Sequence, residues 1–215
     1  QLDVVERGIA DIERWLAEHD QQDTWLAGGV AAINATLCAM RGEATHVLMH
    51  VQHALALLPE AERLLRTSVL VPRGIAEHLL GQMQAADATL REATATSLAL
   101  GNRTTAVLAM NLRAGGMIQL GRLHEAEAIC MRIIQLAEET GGILLSDIYA
   151  MLSELHYERN DLVAARLAAE KAIALGEQWV TVDGQIDGGL RLAMVLQAQG
   201  QPTAAREMMQ RAEHW

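Results

Sequence analysis

The sequence predicts an all-α protein: a right-handed superhelix of five helical hairpins with a period of about 40 residues, preceded by one unpaired helix. Three observations predict it. The first is composition, with 51% hydrophobic residues, only 3% aromatics, 3 Pro, no Phe and many Ala, Leu, Glu, Gln, Met and Arg, which favour helix over sheet. The second is a recurring breaker at Gly42, Gly81, Gly121, Asn160 and Gly200, at intervals of 39, 40, 39 and 40. Gly and Asn tolerate the left-handed backbone that ends a helix, so the chain turns back at each. The third is the set of residues around the breakers.

Taken in order, the chain opens on an amphipathic stretch from Leu2 to His19, which stands ahead of the first hairpin as the unpaired helix. Each hairpin then holds a helix A before its breaker and a helix B after it, giving eleven helices. Seven residues before the breakers come Ala35, Gly74, Ala114, Ser153 and Ala193, small enough to let two helices approach closely. Five residues after them come Val47, Ala86, Ala126, Ala165 and Ala205. Val51, Leu90, Cys130, Ala169 and Met209 follow at plus nine, and Ala54, Ala93, Ile133, Ala172 and Ala212 at plus twelve. The offsets five, nine and twelve trace one apolar helical stripe. In the second helix A, Pro72 removes a backbone donor and is expected to kink or break the helix.

A hairpin cannot cover its own apolar face, so neighbouring hairpins stack, with the A helices forming a concave wall. With the A helices turned inward as in the helical repeats this pattern resembles, four positions on each, at thirteen, ten, six and three residues before the breaker, are expected to face that concavity. Among them His78, Asn111, Asp147, Glu154, Tyr157, Asp187 and Gln197 are polar, set between apolar Val71, Ile75, Leu108, Ile118 and Met194. These seven polar residues form the candidate ligand or partner groove. Its C-terminal half carries more acids, which suits a ligand bearing hydroxyl or cationic groups rather than an anion.

Other chemistries are poorly served. A net charge of −10, with Lys171 the only lysine, argues against direct nucleic-acid binding. The longest uncharged run, Thr24 to Met40, contains Gly28, Gly29 and Asn34 and reads as a buried helix, so no membrane association is expected. Cys38 and Cys130 lie in apolar runs and read as buried, reduced thiols of a cytoplasmic protein. His46, His50 and His53 share a helical face at spacings of four and three. His46 and His50 are the weak metal candidates, but the sequence nominates no further ligand and no metal is expected. His124 and Glu125 match half of a zinc-protease helix without its second histidine, and read as a helix start. No phosphate-binding loop, nucleophile elbow or dinucleotide fingerprint occurs, so the segment is expected to be neither an enzyme nor a holder of a cofactor.

The order small residue, Gly after seven, Ala after five more, most legible in "AGGMIQLGRLHEAEAICMRI", resembles the tetratricopeptide hairpin, stretched from its usual period of about 34. Read together, "RGIAEHLLGQMQAADATLREATATSLALGN", "QLGRLHEAEAICMRIIQLAEETG" and "HYERNDLVAARLAAEKAIALGEQW" resemble the helical-repeat sensor region of the large ATP-binding LuxR-type regulators, the MalT-like group. The resemblance runs from about Leu2 to the end of the sequence and implies a single domain over residues 1–215, internal to a larger regulator. It implies binding of a small-molecule effector or regulatory protein, coupled to self-association of the full protein, and ATP bound by a module outside this segment. The rival expectation is a stand-alone tetratricopeptide scaffold that binds a partner peptide without a transcriptional role.

Overall fold

The computed structural model describes residues 2–18, 24–137, 144–179 and 182–215. Twelve α-helices and no strand occur among them. The A helices are α2 (Thr24–Met40), α5 (Leu70–Leu79), α7 (Arg103–Gln119), α9 (Leu145–Glu158) and α11 (Val182–Ala198). Their B partners are α3 (Ala44–Leu57), α6 (Met83–Ala99), α8 (Leu123–Ala137), α10 (Leu162–Trp179) and α12 (Pro202–Ala212). The helix α1 (Leu2–Glu18) precedes them, and its expected end at His19 lies outside the described residues.

The twelfth helix is α4 (Arg63–Ser68), a correction to the expected eleven. The second A helix is two pieces, parted at Val69, because Pro72 has no N–H for the Ser68 carbonyl and its ring would collide with that group. Pro72 therefore lies in the first turn of α5, where the missing donor goes unused. Ser68 turns its hydroxyl onto the Leu65 carbonyl at 2.7 Å instead. Two residues earlier, Arg66 donates to the carbonyls of Leu55 and Leu58 at 2.8 and 2.7 Å, closing the C-terminal end of α3.

All five breakers have left-handed backbones, with φ of 73° at Gly42 and Gly81, 70° at Gly121, 60° at Asn160 and 74° at Gly200. Each closes its A helix with the same pair of bonds. At Gly121, its own N–H reaches the Ile118 carbonyl at 2.9 Å and the next N–H, from Arg122, reaches Met117 at 2.8 Å. The sequence reading missed a sixth such end at Gly101, φ 73°, which stops α6. Its follower Asn102 then caps α7, accepting the Thr105 N–H at 3.2 Å. Gly121→Ala is expected to cost about 1 kcal/mol, since an L side chain in this region is strained and the site offers no contact in return. Urea unfolding of the variant measures it, with Asn160→Gly as the opposite case, expected to be neutral or slightly stabilising.

The contacts group into two compact units, residues 1–112 and 113–215, with the division inside α7. In the first, α2 and α3 pack through Ala35, Val47, Val51 and Ala54, and α5 and α6 through Val71, Leu90 and Ala93. The helix α1 lies on α2 through Ile9, Leu16, Val30 and Leu37. In the second unit, α10 packs on both α9 and α11. The approach to α11 is close because Gly176 and Gly188 lack side chains: a Cβ on Gly176 would stand 2.9 Å from the Gln185 backbone nitrogen, and one on Gly188 3.0 Å from that of Ile173. Every stripe residue at plus five, nine and twelve is buried except Met209, on the last helix. The small residues at minus seven are all buried.

Both cysteines are free and buried. Burial, reinforced by Glu127, pushes the Cys130 thiol up to about 12. Burial likewise raises Cys38, with Glu43 adding to it. Neither holds an appreciable thiolate near neutral pH.

Candidate functional site

The polar positions of the expected groove fall in both units. In the second unit, two A helices bring several of them onto one face. Asp147, Glu154 and Tyr157 are spaced seven and three residues apart on α9, and Asp187 and Gln197 ten apart on α11. These intervals keep a side chain near one helical face. The two helices touch. Glu154 and Arg191 pair across them at 2.8 Å, with both side chains about one-third exposed. Leu190 and Met194 lie exposed on α11 between the acids and Gln197.

Asp147 is half-buried, and its carboxyl is raised above the ordinary range by that burial first, then by the negative charges of Asp187 and Asp183. Asp187 is raised by partial burial, with Arg191 opposing and Asp183 adding to the shift. The face thus gathers three mutually repelling carboxylates, Asp147, Asp183 and Asp187, beside the pair of Glu154 with Arg191, whose guanidinium also offsets the charge of Asp187. A positively charged or hydroxyl-bearing group placed among Asp147, Asp183 and Asp187 relieves their repulsion, whereas an anion adds to it.

Sequence reasoning missed Asp183 and Arg191. They lie outside the four offsets used, but the i, i+4, i+8 spacing of Asp183, Asp187 and Arg191 is a legible helical face.

The raised carboxyls carry a pH signature. Their folded values lie above the unfolded one, so the folded chain holds protons the unfolded chain has released, and stability falls as pH rises through that window. Asp147→Asn removes this penalty. Its melting temperature is expected to exceed that of the parent near neutral pH and to converge on it as pH falls through the ordinary carboxylate range, read by thermal scans across pH.

In the first unit the expected positions are less open. Val71 is buried in the cluster with Leu70, Leu90 and Ala93 and is no part of an exposed wall. His78 is half-buried near the end of α5, and Asn111 is half-buried on α7. The Asn111 Oδ1 is buried with no hydrogen-bond partner among the described residues.

The three clustered histidines separate. His46 is exposed and lies 3.5 Å from Glu43, while His50 and His53 face a cavity between α1, α2 and α3. Among the described residues, no group of three or more His, Cys, Asp or Glu is arranged to hold a metal ion. His124 stands in the first turn of α8, where Arg159 bridges it, at 3.2 Å, to Glu127, at 2.8 Å. No described helix is long and apolar enough to cross a membrane.

Comparison with known proteins places these features in context. The sequence profile of the MalT-like TPR region matches residues 28–215. Comparison with curated proteins returned no match in sequence. Among solved structures, BtubC from P. vanneervenii superposes with a TM-score of 0.74 at 18% identity, over 100% of this chain and 89% of that one. The aspartyl phosphate phosphatase F of Bacillus subtilis gives 0.70 at 11% identity, over 90% of this chain. A Rap conjugation gene regulator of plasmid pLS20, in complex with the Phr* peptide, gives 0.74 at 16% identity, again over 90%. The chain spans only 60% and 53% of those last two proteins. At these identities the likeness is one of fold: a helical-repeat fold shared by proteins with different activities.

Proposed function

The chain belongs to the family of MalT-like TPR regions, and from that premise we propose that it is the effector-sensing and protein-interaction segment of a LuxR-type transcription regulator. The observation that carries the reading is the carboxylate-rich face shared by α9 and α11. Its occupant is a small molecule or a segment of a regulatory protein that presents cationic or hydroxyl groups to Asp147 and Asp187 and apolar surface to Leu190 and Met194. A ligand that touches both helices favours one packing of α9 against α11 by its difference in affinity for the two arrangements, and no more. That difference is what couples occupancy to self-association of the full protein in the cytoplasm. ATP binding belongs to a module outside this segment, and the segment itself is not an enzyme and takes no cofactor.

The Phr* peptide in the Rap complex supports a second reading, a scaffold that holds a partner peptide with no transcriptional role. Thermal shift separates the two. Panels of polyols and sugars, of basic peptides and of dicarboxylates are tested against the purified chain. A true ligand at a hundred times its Kd stabilises by about 2.7 kcal/mol. Stabilisation by a hydroxylated or cationic small molecule supports the sensor; stabilisation by basic peptides alone supports the sensor where the peptide drives self-association of the full protein, and the scaffold where it leaves self-association unchanged. Stabilisation confined to dicarboxylates contradicts both.

A further inference from the structure

The outer side of α10 departs from the pattern of the other B helices. Three and seven residues after its breaker stand Val163 and Leu167, 70% and 63% exposed. The same two places hold Thr45 and Met49 in the first hairpin, Gln84 and Ala88 in the second, His124 and Ala128 in the third, and Thr203 and Glu207 in the fifth. All of these are exposed, so both are solvent-facing positions of helix B, and the fourth hairpin alone makes both large and apolar. The core side of α10 does not use them. That side is formed by Ala165, Ala169 and Ala172, all fully buried, and Val163 and Leu167 lie across the helix from it. Two neighbouring apolar side chains are thus left in water with no packing gained inside the chain.

The charges beside them suggest what covers them. Arg166 and Glu170 pair on the surface of α10, Nε to Oε1 at 2.8 Å, both partly exposed. With Val163 and Leu167 they make a spacing of three, four and seven residues, which is one helical face. The two charged residues are equidistant from the level of Ala168. A second α10 running antiparallel about a two-fold axis at that level therefore sets Arg166 opposite the partner's Glu170, twice over. Leu167 then stands beside the axis, next to the partner's Leu167, and Val163 lies toward the partner's Ala174, which is exposed. A two-fold contact requires a patch that complements itself in charge and in apolar surface, and this face does both.

We propose that α10 is a self-association surface, on which a second copy of the chain packs its own α10 antiparallel through Val163 and Leu167, with the charges of Arg166 and Glu170 exchanged between the copies. In the sensor reading this contact serves the self-association that the effector controls, and that role rests on the sensor reading. The contact itself is tested with no effector present, so failure of one is distinguishable from failure of the other.

The patch is smaller than the ~800 Å² each partner covers in a standard interface, so the contact is weak and half-formed at about 100 μM chain. Sedimentation of the whole 215-residue chain from about 1 μM to about 1 mM is expected to show a monomer passing into a dimer. Salt at about 0.5 M screens the repulsion between copies of net charge −10. Leu167→Glu, at an exposed position where the fold has nothing to lose, is expected to weaken the dimer at least about tenfold. Geometry gives a second readout. Leu167→Cys is expected to oxidise to a disulfide-linked dimer, and Val163→Cys is not, because its two copies stand about 15 Å apart along the paired helices. Cys38 and Cys130 are buried. A chain that stays monomeric to the highest concentration overturns the proposal. So does a Leu167→Glu variant that associates like the parent, or a Val163→Cys variant that cross-links as readily as Leu167→Cys.

Discussion

Arg73→Ala is expected to destabilise the chain by about 3 kcal/mol, more than an exposed arginine usually contributes. Its guanidinium Nε donates to Glu77 Oε1 at 2.8 Å, and Glu77 is 3% exposed. The second carboxylate oxygen, Oε2, has no hydrogen-bond partner among the described residues. Removing Arg73 strands a buried charge with neither pairing nor solvent, and the cost is the desolvation of Glu77 rather than the value of the pair. The double variant Arg73→Ala/Glu77→Leu is accordingly expected to recover most of the loss. At the same place in the repeat, four residues before the breaker, the other hairpins carry Cys38, Met117, His156 and Leu196, so the site accommodates an apolar side chain. Urea unfolding of the two variants checks both expectations, and a double variant no more stable than the single one contradicts the explanation.

The second large effect separates neighbours on α9. Leu155 is fully buried, and Leu155→Ala is expected to cost about 3 kcal/mol in lost transfer energy and residual cavity. Glu154, one residue earlier, is 28% exposed and pairs with Arg191. Glu154→Ala is expected to cost no more than about 1 kcal/mol. A hundred degrees of helical rotation thus divides core from candidate site. Equal losses at the two positions, measured by chemical unfolding, contradict the assignment of faces on α9.

That division also marks what was legible in the sequence. The breakers at Gly42, Gly81, Gly121, Asn160 and Gly200 announce hairpin ends because only a few residue types accept their backbone, and all five take it. The buried stripes were equally readable, since a period of 3.6 residues leaves a fixed trace. Gly101 was not found: it closes a B helix twenty residues after its breaker, where the first and fourth hairpins carry Glu62 and Val180 and the third carries Gly141, so the position sets no uniform register. Pro72 announced a break, but placing it at Val69 requires knowing which carbonyl loses its partner.

The site was legible in part. Fixed offsets from the breakers reached Asp147, Glu154 and Asp187, whereas Asp183 and Arg191 lie outside those offsets and are found only by extending the face of Asp187 one turn either way along α11. The same offsets nominated Val71, which packs inward, because they describe a direction on one helix and not what covers it. The cavity beside His50 and His53 could not be foreseen, since it depends on where α1 lies.

The central claim is that the carboxylates of α9 and α11 do the recognising. Its most direct test is the affinity of the best stabilising cationic or hydroxylated compound for the parent chain and for Asp147→Asn/Asp187→Asn. That variant relieves repulsion and so retains the fold, leaving binding as the quantity that changes. The account predicts at least about a tenfold loss of affinity with stability kept or improved. Unchanged affinity in a folded variant contradicts it.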